Sequence, residues 1–456
     1  MGLVLTTDRE ARGSILLLSG VLNTMDIAYA DALSSVPTGI WRRGRTVPLN
    51  RLETRTWDLL AALSWIRHDA LAELRTAFEK LTNRRIIFSS SGQCAIAQIL
   101  TLLPQQEVVM PAYTCGVVKT AAQAAGKRIV YVDVAKGSVN ATSVEYAEAA
   151  KPGRILLATH LYGVPTDIET VCRLARSRDC VVIEDSVAAF GGYSNGQPLG
   201  TFGDFGIFSF QRGKRIPAVQ GAAILVNNEG LFESEKLESV RFAECNRPLP
   251  VRGALAAWLY NVATVPSIYG NVTVPLLLGR YKKQNHRVRP EVGPETCEPE
   301  AEIAAAREYS AASPYYRDEI HPYQAELVLR MLRRIGSIRR HIARTVEIYL
   351  EALQNTSWRT FLPPNCDYSG LLRLPVALPG RKRAEILVEA LKRGIYLEVE
   401  YESLLPLDSE RTRFPNAIWA AENFILLPLY TALSHQAARS LARRVAAIGN
   451  DVVKPA

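Results

Sequence analysis

Short apolar runs alternate with amphipathic stretches through the middle of the chain. Arg84 to Phe88, Glu107 to Met110, Arg128 to Asp133, Ile155 to Ala158, Val181 to Ile183, Ile207 to Phe210 and Ala222 to Val226 are brief and rich in Val, Ile and Phe. Such runs suit strands buried on both faces. Between them, Ile96 to Leu103, Val117 to Ala125 and Asp167 to Arg178 have helical spacing. This alternation predicts an α/β protein with a mostly parallel sheet covered by helices. Upstream, Trp57, Leu60, Leu63, Ile66, Leu71, Leu74 and Phe78 recur at helical spacing between Arg55 and Thr82. Downstream, Leu327, Leu329, Leu332, Ile335, Ile338, Ile342 and Ile348 predict one helix of roughly 30 residues starting near Gln324. Leu371 to Val376 reads as a strand, Arg383 to Arg393 as a helix, Phe424 to Tyr430 as a further apolar run and Ser434 to Ile448 as a closing helix. The expected division is a segment 1–55 to which the pattern assigns no element, a large domain 56–332 and a small C-terminal α+β domain 333–456.

The large domain carries an insertion, 231–320. From Gly253 to Gly279 it has no charged residue, and Arg252 and Arg280 bracket the stretch. Its length alone would permit a membrane span. Pro266, Pro275, Gly270, Asn261 and Asn271 argue against a straight one. Burial in protein, a dimer surface and peripheral membrane contact through 253–279 stay open; the stretch should be helical in part and broken near Pro266 and Pro275. Val288 to Ser313, rich in Pro, Glu and Ala, reads as a mobile segment.

The candidate chemistry gathers between Val181 and Val226. Glu184 and Asp185 close one apolar run, Ser209 lies in the next, and Lys214 follows in a loop with Gly213 and Pro217. In open α/β sheets, ligands bind at the carboxyl ends of the strands. An acid, a hydroxyl and a lysine there are the groups that pyridoxal phosphate needs. The lysine carries the cofactor covalently, the acid keeps the ring nitrogen protonated, and hydroxyls and backbone N–H groups hold the phosphate. Ser91-Gly92-Gln93, between a strand and a helix, is a second candidate for the phosphate.

These motifs resemble the DegT/DnrJ/StrS sugar aminotransferases, a family of fold-type I pyridoxal-phosphate enzymes. The resemblance rests on Glu184-Asp185, on Gly200-Thr201-Phe202-Gly203-Asp204, on Phe208-Ser209-Phe210 with Lys214, and on His160-Leu161-Tyr162-Gly163. It runs from about Ser89 to the Leu427-Pro428-Leu429-Tyr430 region and Ile448, and is weak in the first 55 residues and the insertion. It implies catalytic roles for Lys214 and Asp185. It implies cofactor contacts from Ser91, Gly92, Gln93, Cys115, His160, Asp185, Ala188, Ser209 and Lys214. It also implies a homodimer with shared sites, in which Arg317 reaches the partner's phosphate or is simply a solvated surface charge. The chain departs from the family pattern where Gln93 stands for a threonine, Cys115 for an aromatic, Ala188 for a glutamine, Arg215 for an asparagine, Gln220 for a glutamate and Arg317 for an asparagine. At 115, Tyr113, another side chain or the thiol itself would cover the cofactor ring. His160 is either a group near the ring edge or a hydrogen-bonded structural histidine. Lysine at 214, where the family's dehydratases carry histidine, favours transamination.

Composition narrows the setting. Net charge is +9, with basic clusters at Arg42-Arg43-Gly44-Arg45 and Arg280-Tyr281-Lys282-Lys283. No aromatic interleaving or nucleic-acid module accompanies them, so phosphates or anionic lipid are better partners than nucleic acid. The 7 cysteines show no C-x-x-C pair, and no metal-ligand spacing is present. Reduced thiols and the lack of a signal-peptide pattern lead to a cytoplasmic protein, peripheral at most to the inner face of a membrane. The resulting expectation is a pyridoxal-phosphate aminotransferase moving an amino group, from glutamate by resemblance, to a keto group on a nucleotide-linked sugar. A lipid-linked or non-sugar carbonyl is the alternative acceptor, and a cofactor-binding regulator without turnover is the alternative class.

Overall fold

The computed structural model describes residues 47–48, 50–64, 69–232, 251–273, 275–276, 319–395, 397, 399–401, 404 and 412–450. Its central feature is a 7-stranded sheet. The strands are β1 (Arg85–Ser89), β2 (Glu107–Pro111), β3 (Arg128–Val132), β4 (Arg154–Thr159), β5 (Val181–Asp185), β8 (Phe205–Ser209) and β9 (Ala222–Val226). A small hairpin, β6 (Tyr193–Ser194) with β7 (Gln197–Pro198), stands apart. The order is β1-β9-β8-β5-β4-β2-β3. β9 runs antiparallel to both neighbours and the other six strands share one direction.

Helices α1 (Thr56–Ser64), α2 (Ala70–Thr82), α3 (Gly92–Leu102), α4 (Gly116–Ala124), α5 (Ile168–Ser177), α6 (Val251–Ala263) and α7 (Pro322–Leu332) accompany the sheet. One apolar cluster joins α3 and α4 to Ile155, Ile183, Phe205 and Ile207. A second joins α5 to Leu156, Ala158 and Val182. Alternate residues of the strands thus feed two different cores, which is why the runs are apolar throughout. A third cluster packs Phe78 of α2 within 6.2 Å of Phe88, Phe190, Phe208 and Phe210.

The last part of the chain forms α8 (Ile335–Leu353), β10 (Arg359–Thr360), β11 (Arg373–Ala377), α9 (Arg383–Lys392), α10 (Pro415–Asn423), β12 (Ile425–Pro428) and α11 (His435–Asn450). The three strands make an antiparallel sheet, and α8 and α11 pack against each other beside it.

Two expected helices are divided. The long helix from Gln324 breaks at Arg333–Arg334 into α7 and α8. Arg334 leaves the helical ladder there, and its guanidinium reaches Asp58 at 2.7 Å and the Glu53 carbonyl at 3.4 Å. The first amphipathic stretch becomes α1 and α2, and Trp57 and Leu60 of α1 face solvent. In the insertion, α6 ends before Pro266, as the proline positions imply. No helix among the described residues is long and apolar enough to cross a membrane. Val288 to Ser313 lies outside the described residues.

Candidate active site

Parallel pairing brings the chemistry to one edge. Thr159 at the end of β4 pairs with Asp185 at the end of β5, and Asp185 pairs with Ile207 of β8. Ser209 closes β8 opposite Ala222, which also pairs with Ser89 at the end of β1. Phe208 and Phe210 both sink into the aromatic cluster. Alternation therefore turns Ser209 to the other face, where a Cβ on Gly92 would lie 3.3 Å from both its Cβ and its Oγ. The amino end of α3 thus rests directly on Ser209. Ser91 caps that helix, its hydroxyl accepting from Cys94 N at 3.1 Å, and half-buried Gln93 lies in the first turn.

The loop carrying Lys214 is stapled at its base. Phe210 N donates to Gly221 O at 2.8 Å, and Ala218 N donates back to Phe210 O at 2.8 Å. Gly221 has φ +124, and a Cβ there would meet Ile320 at 2.8 Å, so only glycine fits. Lys214 N donates to Gln211 O at 2.9 Å. No hydrogen bond or ion pair between the Lys214 ammonium and a described residue is formed.

Asp185 is buried, and among the described residues its carboxylate accepts only from Val187 N at 3.2 Å. Burial holds its carboxyl above the usual carboxylate range, while Val187 N and the charges of Lys214 and His160 pull it down. Cys115 precedes α4; burial pushes its thiol up, and both Lys214 and Asp185 act on its charge. Asp185, Lys214 and Cys115 therefore share one neighbourhood. Ala188 is buried and brings no polar atom. Arg317 lies outside the described residues.

His160 has both ring nitrogens engaged: Nδ1 accepts from Thr166 N at 3.0 Å, and Nε2 stands 2.9 Å from Glu184 Oε1. That arrangement puts the imidazole proton on Nε2. Glu184 is fully buried, and besides His160 it accepts from Gly200 N at 2.5 Å, Phe202 N at 2.8 Å and Gly203 N at 3.1 Å. The Gly200-to-Asp204 motif is thus a backbone cradle for Glu184. Asp204 completes it, accepting from Val182 N at 2.8 Å.

Tyr113 is engaged by other aromatic residues. It is buried, 2.6 Å from the Tyr162 hydroxyl, with its ring against Phe424. Tyr401, which the sequence did not single out, stacks on Tyr162 at 5.3 Å. Its segment is tied to the end of β2 by Leu404 N donating to Ala112 O at 2.9 Å. Burial pushes the Tyr401 hydroxyl far up, and Cys115, Glu400 and Asp185 push in the same direction. Thr159 Oγ1, Thr114 Oγ1 and Ser186 Oγ are buried with no partner among the described residues. Register with Asp185 was the one signal that could have pointed to Thr159.

These groups fit pyridoxal phosphate. A buried carboxylate with one backbone donor can take a ring N–H, an unengaged lysine can take an aldehyde, and a helix amino end beside a serine can take a phosphate. The hydroxyls of Thr114, Thr159 and Ser186, without a partner among the described residues, leave further hydrogen-bonding capacity at the ends of β2, β4 and β5.

A model of the DegT/DnrJ/EryC1/StrS aminotransferase family matches residues 58–246. That match covers the cofactor-site strands and the loop of Lys214. It is 33% identical over 129 residues to GDP-perosamine synthase of Escherichia coli O157:H7, covering 28% of this chain and 35% of that protein. It is 24% identical over 365 residues to dTDP-4-dehydro-2,3,6-trideoxy-D-glucose 4-aminotransferase of Saccharopolyspora spinosa, covering 78% and 83%. The alignments with GDP-perosamine synthase and two other curated relatives span only 35%, 42% and 32% of those proteins. The fold is that of the putative sugar aminotransferase Spr1654 from Streptococcus pneumoniae in its PMP form. That match has a TM-score of 0.66 at 19% identity, over 89% of this chain and 99% of that one. The chain therefore shares the α/β architecture of that structure, with a mostly parallel sheet.

Proposed function

We propose that the chain is a pyridoxal-phosphate-dependent aminotransferase that passes an amino group, from glutamate or a similar donor, to a keto carbon of a nucleotide-linked sugar. The carrying observation is the meeting of Asp185, Ser209 and the amino end of α3 at one sheet edge, with Lys214 acting on the same thiol as Asp185. Bound there, the cofactor would supply an aldehyde and a ring that withdraws electrons from the substrate carbon. Asp185 would hold the proton on the ring nitrogen. Ser91, Gly92, Gln93 and Ser209 would hold the phosphate. Lys214 would anchor the cofactor and, once released, carry a proton to and from the reacting carbon. The sugar acceptor is supported by relatives whose names contain nucleotide-linked sugars. We read the active unit as a homodimer completed by the partner's Arg317, and 56–332 and 333–456 as its large and small domains.

The test has two readings. Borohydride reduction of the pyridoxal-phosphate-loaded protein should fix the label on the Lys214 peptide; a label on another lysine sinks the assignment. Glutamate alone should then convert the visible absorbance of the loaded protein. A protein that binds the cofactor but shows no change with any amino donor would be a regulator rather than an enzyme.

The exposed apolar side chains favour a second acceptor, a lipid-linked carbonyl. α6 packs beside α1, and Leu255, Trp258 and Leu259 of α6 are exposed, as are Trp57 and Leu60 of α1. Flotation with anionic liposomes, lost when 253–279 is replaced by a short polar loop, supports this acceptor. A protein that never floats, and turns monomeric on the same replacement, puts the segment in the dimer interface.

A further inference from the structure

Residues 50–55 lie as a strap along the loop that presents Lys214. A Cβ on Gly213 would stand 3.4 Å from Asn50 Nδ2. Glu53 Oε1 accepts from Arg215 Nη1 at 3.0 Å, and Thr54 Oγ1 donates to Pro217 O at 2.6 Å. The contacts fall on both sides of Lys214 in sequence. The strap is held from behind by α6, where Tyr260 donates to Asn50 O at 3.2 Å and Asn261 Nδ2 to Thr54 O at 2.8 Å. Residues flanking the strands of the small antiparallel sheet hold it as well. Thr431 gives Glu53 its backbone N–H at 3.1 Å and its hydroxyl, while Arg215 donates to Leu429 O at 3.4 Å and to Leu371 O. Glu53 and Arg215 are both buried.

We propose that the Glu53–Arg215 pair is a positioning device for Lys214, which rests on the reading of Lys214 as the cofactor lysine. A lysine side chain has four rotatable bonds, and the Lys214 ammonium is not held by any described acceptor. Its aim is therefore set by the backbone on either side. The pair fixes the residue immediately after Lys214 against two other parts of the fold at once. A buried ion pair is a poor source of net stability, because desolvation offsets its attraction. Fixed geometry is the property it can confer, and small errors in the position of a reacting group cost rate steeply. The pair also ties the lysine loop to Leu371, Leu429 and Thr431, which flank the strands of the small sheet, so that displacement of those segments would be felt at Lys214.

The experiment uses the cofactor-free full chain as wild type, as Glu53→Gln, and as Glu53→Leu with Arg215→Met. Two probes are compared. Pyridoxal phosphate can be captured by the Lys214 amine, which bonds to the aldehyde carbon with loss of one water. Pyridoxamine phosphate has no aldehyde and reports only the rest of the site. In both variants the capture rate should fall by about tenfold or more, as expected for a misaimed nucleophile. The dissociation constant for pyridoxamine phosphate should move by less than about threefold. Capture at the wild-type rate in the double variant would overturn the proposal, and so would equal weakening of both probes. If Glu53→Gln does not fold, the double variant decides alone, because it leaves no unpaired buried charge. A wild-type protein that fixes pyridoxal phosphate on a lysine other than Lys214 would instead refute the active-site reading itself.

Discussion

Replacing Glu184 by glutamine tests the cradle at the end of β5. In the native protein two donors converge on each carboxylate oxygen, His160 Nε2 and Gly200 N on Oε1, Phe202 N and Gly203 N on Oε2. Glutamine keeps one oxygen and turns the other into an NH2 group. In either orientation, two donors then face a donor inside a site closed to water. Hydrogen bonds to a charged acceptor contribute about 1.5–3 kcal/mol each, so losing two predicts a destabilisation of about 3–6 kcal/mol. That is a large share of the roughly 5–15 kcal/mol that holds a typical domain together. Urea unfolding followed by far-ultraviolet circular dichroism reads it directly. Glu184→Asp keeps the charge but is one methylene short, and should be intermediate. A glutamine variant within about 1 kcal/mol of wild type would mean that the cradle relaxes around either side chain, and the assignment of the Gly200-to-Asp204 motif to Glu184 would be wrong.

Three further outcomes are expected. Burial keeps Asp185 above the usual carboxylate range, so the folded, cofactor-free protein binds a proton there more tightly than the unfolded chain does. Stability is therefore lost as pH rises above that range, and Asp185→Asn should resist urea better than wild type near pH 8, with the gap closing near pH 4, while the proposed transamination collapses. Gly163→Ala places a Cβ 2.6 Å from Gly370 O and 2.7 Å from Ala188 O at a φ of +83. Strain and overlap together should cost about 2–5 kcal/mol, measured by the same unfolding. An Arg317→Ala chain mixed with a Lys214→Ala chain should regain activity if Arg317 acts across a dimer, because one site of each mixed dimer is then intact; verified subunit exchange without recovery refutes it.

The strands were readable because each is buried on both faces, and continuous apolar runs flanked by Gly, Pro and polar residues have few other uses. Seven runs in the sequence became the seven strands of the large sheet, shifted by a residue or two at their ends. Helices were less secure. The Leu327-to-Ile348 pattern keeps its period across Arg333–Arg334, so nothing local marks the break; the turn depends on an Arg334 contact with Asp58, far away in sequence. Trp57 and Leu60 fit a helical core stripe and still face solvent. His160 illustrates the same limit. Its place after β4 was legible, but the use of both its nitrogens depends on Thr166 and on the neighbouring strand.

By itself, the sequence determined the class of fold, the order of acid, hydroxyl and lysine, and the strand ends that carry them. These follow from local burial patterns and from spacing within one unit of the chain. Only the tertiary structure decided that Glu184 is cradled by the glycine motif, that Tyr113 turns to the small sheet while Tyr401 stacks on its neighbour Tyr162, and that residues 50–55 strap the lysine loop. Each of those is a hydrogen bond or ring contact between segments distant along the chain. Such contacts leave no period in the sequence, since a polar side chain reads the same whether its partner is water or a buried backbone group.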